Sequence, residues 1–214
     1  MQSVRPRTQA GDGRQSVTRR KRTQSVFLNI PYDDQFEELY LAYIVGLTQL
    51  DLQINATLAV PNQGRLDRIV RLIEESDVSI HDLSRIELSS GIPRFNIPLE
   101  LGLALYRSYT TNGRHRVFVF EKSAYRMLRS TSDINGIDAQ IHKGRPKGGM
   151  VGLRNIFHQP RRTTTVPEML ASYRAVKRRL PGLRRNAGSP SLFEASVFND
   201  LIVAALVERE RIIK

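Results

Sequence analysis

The sequence predicts a doubly wound α/β domain, in which a mostly parallel sheet of four or five strands carries helices on both faces. Short apolar runs alternate four or five times with stretches whose apolar residues recur at a helical period. The apolar runs are uninterrupted, which is typical of strands that are buried on both faces. The stretches between them are long enough for the helical crossovers that parallel strands need. Together these features predict a flavodoxin-like fold.

Five apolar runs predict the strands. The most regular of them is HRVFVFE, in which Val117 to Phe120 form an unbroken β-branched and aromatic run. The first run, SVFLNI, is stopped by Pro31, which has no backbone N–H for a sheet ladder. The predicted strands are Ser25–Ile30, Gln53–Val60, Asp77–Leu83, His115–Glu121 and Asp138–His142.

Helices are predicted between these strands and after the last one. Asp33 and Asp34 precede the first helix, where an acid caps a helix and interacts well with its dipole. Pro98 suits the first turn of another helix. The segment 130–149 is predicted as a loop. The two C-terminal helices are separated by residues that interrupt helices, namely Pro181, Gly182, Gly188 and Pro190. The predicted helices are Gln35–Gln49, Arg65–Glu75, Ile97–Tyr109, Lys122–Arg129, 165–180 and 191–212.

Charge divides the chain into three parts. Residues 1–24 hold seven Lys and Arg against one Asp and almost no large apolar residues, so we predict a disordered basic tail. Residues 25–158 form the predicted α/β domain, which is close to neutral. Residues 159–214 form a basic helical extension, in which positions 174, 177, 178 and 185 share one helix face. The net charge of +12 therefore belongs to the two ends rather than to the domain.

Several function classes are excluded by residues that the sequence lacks. With no cysteine, the chain has no disulfide, thiolate nucleophile or Cys-type zinc site. No phosphate-binding loop or G-x-G-x-x-G motif is present, which argues against a P-loop ATPase or a standard dinucleotide redox domain. The histidines are too scattered for a metal motif, His81 is expected to be packed and hydrogen-bonded, and serines 84, 89 and 90 lack a nucleophile elbow. We therefore expect no metal and no resident cofactor.

Candidate site residues follow from where ligands bind in such folds, past the carboxyl ends of the strands at the point where the strand order reverses. Glu100 stands out as an acid within an apolar stretch, near the start of a predicted helix. It can serve as a first-turn acid stabilised by the helix dipole, or as a carboxylate held in a cleft. Asp82 can likewise only cap a turn. The other candidates are Asn29, Tyr32, Asp33, Arg94, Phe95 and Asn96.

Two short motifs resemble the nucleoside 2-deoxyribosyltransferase superfamily. Ser76–Ile80 followed by Asp82 is similar to that family's apolar strand ending in an aspartate, and Glu100–Ala104 is similar to its Glu-x-Gly-x-Ala helix. Val26–Asn29 with Pro31 and Tyr32 resembles the first strand and its loop. The related Toll/interleukin-1 receptor (TIR) domains share the fold. The resemblance covers about residues 25–142, and departs from the family in the long loop after Asp82 and in the C-terminal helices.

The resemblance implies cleavage or transfer at the N-glycosidic bond of a nucleoside, nucleotide or NAD. Glu100 would stabilise or attack the sugar, and Asp82 would hold the ribose hydroxyls or protonate the leaving base. Tyr32 and Phe95 would stack on the base, Asn29 would hydrogen-bond to it, and Arg94 would pair with a phosphate. NAD would then be a substrate rather than a cofactor.

The alternative is a non-catalytic nucleotide-binding or protein-interaction module, whose basic tails contact nucleic acid or partner proteins. Glu100 and Asp82 facing one site would favour the enzyme, whereas carboxylates on opposite faces of the sheet would favour the module. Because no apolar run reaches membrane length and no secretory signal is recognised, we expect a cytoplasmic location without membrane contact. A homo-oligomer is a candidate assembly.

Overall fold

A computed structural model describes residues 22–59, 64–85, 95–125, 136–157 and 164–213 of the chain. The strands are β1 Ser25–Asn29, β2 Gln53–Asn55, β3 Val78–Asp82, β4 Arg116–Glu121 and β5 Gln140–Ile141. The α-helices are α1 Glu37–Gln49, α2 Arg65–Glu75, α3 Asn96–Thr110, α4 Pro146–Ile156, α5 Val166–Ala187 and α6 Ala195–Ile213. Short 3-10 turns cover Asp34–Phe36 and Thr57–Ala59.

The five strands form one parallel sheet in the order β2-β1-β3-β4-β5, as expected for a flavodoxin-like doubly wound fold. Val26 pairs with Val78 and Leu28 pairs with Ile80 in the β1–β3 register. From β1 the chain first adds β2 on one side, and all later strands, beginning with β3, are added on the other side of β1. The strand order therefore reverses between β1 and β3, and the carboxyl ends of these two strands define the switch point.

Helices cover both faces of the sheet. Successive side chains of a strand point to opposite faces, and both faces carry apolar side chains that the helices bury. On one face, Val26, Leu28 and Ile80 of the strands pack against α1 and α4. Phe27 packs on the other face, with α2 and Ala104 of α3. The α/β architecture predicted from the alternation of strand and helix is confirmed.

Helix α1 lies at the centre of the molecule and is buried from Leu39 to Gln49. The helix predicted over Gln35–Gln49 is confirmed. Its burial goes beyond the apolar positions of the helical period, because α5 and α6 cover its outer side. Val176 of α5 and Phe198 and Leu201 of α6 belong to the same apolar core as α1. The C-terminal helices thus form a fourth layer, which packs on α1.

Helix α5 is longer than predicted and passes through Pro181 without ending. A capping box between Thr165 and Glu168 starts it, and Gly188 ends it in the left-handed conformation with φ 65°. Pro181 lies on the exposed side of the helix, while Leu180 and Leu183 pack against the core on either side of it. This packing outweighs the loss of one backbone hydrogen bond at the proline.

The segment predicted as a loop over residues 130–149 contains the start of α4, and its first six residues, 130–135, lie outside the described residues. The glycines at 148, 149 and 152 hide the helical period from the sequence, yet each allows a close contact. A Cβ on Gly152 would lie 2.5 Å from the Phe120 ring, and one on Gly148 would lie 2.2 Å from the carbonyl oxygen of His142. The helix predicted over Lys122–Arg129 is not formed by residues 122–125, which make a turn.

Gly148→Ala is expected to destabilise the protein by about 2–4 kcal/mol, because the added methyl group meets rigid backbone and the start of α4 must shift. Gly182→Ala is the matched control, since no described atom lies within 4 Å of its Cβ position. That control is expected to stabilise the fold by about 0.5–1 kcal/mol through helix propensity. Urea unfolding at equal protein concentration measures both, and equal effects at the two positions would contradict the packing assigned to Gly148.

No helix among the described residues is long and apolar enough to cross a lipid bilayer.

Candidate functional site

Polar side chains gather at the switch point, beyond the carboxyl ends of β1 and β3. Asn29 ends β1, and Tyr32 and Asp33 follow it in the connecting loop. Glu100 reaches the same region from the second turn of α3. The strand order of the fold brings these residues together from positions that are about 70 apart in the chain.

Glu100 is an almost buried carboxylate, with 5% of the residue exposed. It is held there because its neighbours Leu101 and Ala104 are on the side of α3 that packs against the sheet. Burial raises the pKa of Glu100, and the charge of Arg65 together with a hydrogen bond from the Asn29 side chain offsets part of that rise. A partly desolvated carboxylate of this kind interacts strongly with any positive charge that develops beside it.

Asn29 links Glu100 to a fully buried histidine. Its amide nitrogen lies 2.9 Å from Nδ1 of His81. Because the amide N–H donates, Nδ1 accepts and the ring proton of neutral His81 resides on Nε2. The His81 ring also meets the edge of Phe27 at 6.1 Å between centroids. The sequence expectation that His81 is packed and hydrogen-bonded is confirmed, and the histidine holds the Asn29 amide in place.

His81 remains uncharged, because burial, with a smaller contribution from His115, lowers its pKa to about 3. An unfolded histidine takes up a proton near pH 6.5. The contribution of His81 to stability is therefore complete above pH 6.5 and is lost as the pH falls toward 3, at up to about 1.4 kcal/mol per pH unit. Burial lowers the pKa of His115 too, which adds to the loss with the same sign.

We expect the free energy of unfolding to fall steadily below pH 6.5, and the His81 ring resonances to stay unchanged between pH 5 and 8. Proton NMR measures the ring, with assignment from the signal that disappears in His81→Gln. The same variant is expected to show a shallower decline in stability with acid. A His81 signal that titrates near pH 6.5 would contradict the buried, neutral state.

Tyr32 lies beside Glu100 and is half-buried. Its hydroxyl accepts a hydrogen bond from Thr57 Oγ1 at 3.1 Å, and its ring packs on Phe193 at 5.7 Å between centroids. Burial raises the pKa of Tyr32 to about 12, with the nearby Glu100 charge adding to the rise and Arg65 opposing it. Tyr32, Arg65 and Glu100 therefore form one electrostatically coupled group at the switch point.

Asp33 ties the loop after β1 to the loop after β3. Its carboxylate lies 3.2 Å from Nε of Arg85, and the same guanidinium donates to Gln35 Oε1 at 2.7 Å. The sequence predicts Asp33 as a helix cap, but its side chain makes no capping hydrogen bond in the structure. The ion pair instead fixes the two loops on either side of the switch point.

Asp82 does not join this group, although the sequence places it with Glu100. Asp82 shares the face of Val78 and Ile80 on β3, which is the face covered by α1, whereas His81 and Asn29 point to the face covered by α3. The two carboxylates therefore belong to opposite faces of the sheet. Carboxylates on opposite faces are the arrangement that was expected for the binding module, whereas the enzyme was expected to have both at one site.

The Asp82 carboxylate is fully buried, and both its oxygens are already hydrogen-bonded. Tyr43 donates to Oδ2 at 2.6 Å, and the backbone N–H of Ser84 donates to Oδ1 at 2.9 Å. Nε2 of His142 lies 3.2 Å from Oδ2 and 2.7 Å from Ser84 Oγ. This cluster of Asp82, Tyr43, Ser84 and His142, here the Asp82 network, joins α1, the end of β3 and the segment after β5.

The Asp82 network contains serine, histidine and aspartate but lacks the geometry of a hydrolase triad. Nδ1 of His142 accepts from the backbone N–H of Gly144 at 2.9 Å, so the proton of the neutral ring is on Nε2. Serine and aspartate both lie at that same nitrogen, so His142 has no free nitrogen with which to act as a base toward Ser84.

The remaining sequence candidates lie at the start of α3. Phe95 and Asn96 are both exposed, and Phe95 directs 68% of its surface to solvent. Arg94 lies outside the described residues. Sequence reasoning did not select Arg65 or Tyr43 as contacts of the two carboxylates. No local signal marks them, because each meets its partner only through tertiary packing.

The chain matches no protein-family model, and no curated protein matches it.

Proposed function

We propose that this protein cleaves or transfers the N-glycosidic bond of a nucleoside, a nucleotide or NAD, with Glu100 as the carboxylate that acts on the sugar. The observation that carries the proposal is the nearly buried Glu100 at the switch point, oriented by Asn29 and kept at a raised pKa by burial. Structural acids on the first turns of helices are usually solvated, whereas perturbed carboxylates gather at functional sites.

The proposed chemistry follows from the charge that develops during bond cleavage. As the bond between C1′ and the base nitrogen breaks, its electron pair leaves with the base, and the sugar becomes oxocarbenium-like. A carboxylate about 3 Å from C1′ stabilises that charge or forms a bond to it. A nucleoside base takes up a proton from water as it leaves, whereas the nicotinamide of NAD leaves as a neutral molecule without one. Water, which gives up a proton, or a second base then takes the place of the leaving base on C1′. Atoms and charge balance without a metal or a redox cofactor.

The residues around Glu100 have complementary roles in this proposal. Asn29 fixes one side of the carboxylate, and Tyr32 offers a half-buried aromatic face for the base. Arg65 is exposed, and its charge acts on both Glu100 and Tyr32, so among the described residues it is a cation that can pair with a substrate phosphate. Asp82 has no role in the chemistry proposed here, because its oxygens are occupied on the other face of the sheet.

The direct test is a search for released base. Purified protein is incubated with NAD, with purine and pyrimidine nucleosides and with their 5′-phosphates, each with and without a second base as acceptor, and the products are separated by chromatography. We expect free base, or an exchanged nucleoside, from at least one substrate. Release of base from none of them would overturn the proposal.

The second candidate is a nucleic-acid-binding module, and two observations favour it. One is the placement of Glu100 and Asp82 on opposite faces of the sheet, and the other is a row of arginines on α5. Arg174, Arg178 and Arg185 are exposed along one face of α5, whereas Lys177 pairs with Glu38. Three aligned guanidinium groups fit a phosphate backbone. Salt-sensitive DNA binding that is lost in the triple Arg→Gln variant, together with no release of base, would establish this candidate in place of the enzyme.

A further inference from the structure

Helix α3 carries an apolar stripe on its outer face, opposite the side that packs on the sheet. The stripe consists of Phe95, Leu99, Gly102, Tyr106 and Tyr109, which follow one another at spacings of four, three, four and three residues. The exposed fractions of the four large residues are 68%, 59%, 69% and 84% in chain order. This spacing is the heptad pattern with which one helix packs along another.

The stripe is also free of charge. The charged residues of α3 are Glu100 and Arg107, and Glu100 faces the protein interior. A surface helix normally presents charged and polar residues on its outer face. An exposed helix that is apolar on both its inner and its outer side is typical of an interface.

Gly102 lies at the centre of the stripe, and nothing within the described chain requires a glycine there. No described atom lies within 4 Å of the position that its Cβ would take, and its φ is not in the left-handed region. Glycine inside a helix costs about 1 kcal/mol relative to alanine. A second backbone that approaches α3 closely at this point accounts for the glycine, since any side chain would hold it away.

We propose that two copies of this chain pair through α3 in antiparallel orientation, about a two-fold axis at Gly102. Phe95 and Tyr109 are each seven residues from Gly102, so the axis places Phe95 of one copy against Tyr109 of the other. Leu99 is three residues and Tyr106 four residues from Gly102, so these two side chains lie within about 1.5 Å of the same level along the helices, one from each copy. The antiparallel orientation pairs the smaller Leu99 with a large tyrosine and opposes the two helix dipoles, whereas a parallel pair stacks tyrosine on tyrosine.

The area of the stripe is sufficient for a dimer. The four large residues expose about 550 Å² per copy, taking on the order of 200 Å² for a fully exposed large side chain. Two copies therefore bury at most on the order of 1,100 Å², which exceeds the total of about 1,000 Å² expected of a biological interface and corresponds to a weak dimer. Leu66 and Val70 are exposed on the adjacent helix α2 and extend the apolar surface. This inference does not depend on the proposed enzymatic function.

Sedimentation equilibrium tests the dimer with the full chain. The wild type is expected to dimerise, and Tyr106→Lys and Tyr109→Lys are each expected to raise the dissociation constant about 100-fold, because every substitution acts twice in a symmetric interface. Val203→Lys is the control, since Val203 is 59% exposed on α6, away from the stripe. A wild type that is monomeric at its solubility limit, or a Val203→Lys variant that alone dissociates, would overturn the proposal.

Cross-linking tests the orientation, and the chain is suited to it because it contains no cysteine. Disulfide formation under mild oxidation reports which positions lie opposite each other across the axis. Tyr109→Cys alone is expected to remain unlinked, because its two copies lie about 20 Å apart, but to link when mixed with Phe95→Cys. Efficient self-linking of Tyr109→Cys would instead indicate a parallel pair and contradict the proposed axis.

Discussion

Glu100→Gln is expected to lower the rate of base release by about 10³-fold or more while the folded protein becomes more stable. The amide keeps the size and the hydrogen-bonding oxygen of the side chain, but it cannot carry the negative charge that stabilises or attacks the sugar. The same change removes a charge that burial disfavours, as the raised pKa of Glu100 indicates. The expected gain at neutral pH is about 0.5–2 kcal/mol, the usual range for relieving one unfavourable site.

The raised pKa of Glu100 determines how the stability difference between wild type and Glu100→Gln changes with pH. Because the folded pKa of Glu100 lies above the unfolded value, the folded protein holds its proton longer as the pH rises, and wild-type stability declines between the two pKa values. The advantage of Glu100→Gln should therefore vanish at acid pH, where both proteins are neutral at this position. Activity should fall with acid at a pH above the ordinary glutamate pKa, since only the ionised carboxylate acts.

Glu74→Gln is the matched control, because Glu74 is an exposed acid on the neighbouring helix α2. It should change neither the rate nor the stability measurably. Base release that continues undiminished in Glu100→Gln would remove the carboxylate from the mechanism. A variant that loses stability at neutral pH would show that Glu100 is a supporting group of the fold.

Asp82→Ala is expected to destabilise the protein by about 3–5 kcal/mol. The substitution leaves the Tyr43 hydroxyl, the Ser84 N–H and His142 buried without their common acceptor. The Asp82 network also holds the segment after β5 against the end of β3, so we expect the start of α4 to lose protection from hydrogen exchange. Urea unfolding and amide exchange measure the two effects.

Asp138→Ala provides the comparison, since Asp138 is exposed close to the same strand edge and should change stability by about 0.5 kcal/mol or less. Activity separates a structural from a catalytic Asp82. Asp82→Asn, assayed where it is fully folded, should keep its rate of base release within a few-fold of wild type. A loss as large as that of Glu100→Gln would return Asp82 to the chemistry.

Much of the fold could be predicted from local patterns. The strands β1 and β4 follow from apolar runs, and β3 follows from the alternation of apolar and polar residues. Helix α2 follows from a helical period, and α3 from an apolar stretch after Pro98. Local patterns did not predict the burial of α1 or the existence of α4, because both depend on packing against distant segments of the chain. Helix α1 is buried all round because α5 and α6 cover it, and α4 is hidden by glycines that only its close packing explains.

Part of the candidate site could also be predicted from the sequence, and part could not. Asn29, Tyr32 and Glu100 could be selected because strand ends at the switch point are known from the order of elements alone. Asp82 could have been separated from them, since it has the same parity along β3 as Val78 and Ile80. Right-handed crossovers then place α1 and α3 on opposite faces of a sheet whose strand order reverses between them.

The sequence by itself determined the fold class, the strands β1, β3 and β4 and the presence of an acid within an apolar helix, because strand and helix patterns are properties of neighbouring residues. The strands predicted over Gln53–Val60 and Asp138–His142 are shorter in the structure, Gln53–Asn55 and Gln140–Ile141. Only the tertiary structure decided that Asp82 is a fully buried hydrogen-bond acceptor on one face of the sheet and that Glu100 is an almost buried carboxylate on the other. Hydrogen-bond partners such as Tyr43 and His142 are 39 and 60 residues from Asp82 along the chain and meet it only when the helices pack. Burial, pKa and available lone pairs depend on that packing, and no local pattern encodes them.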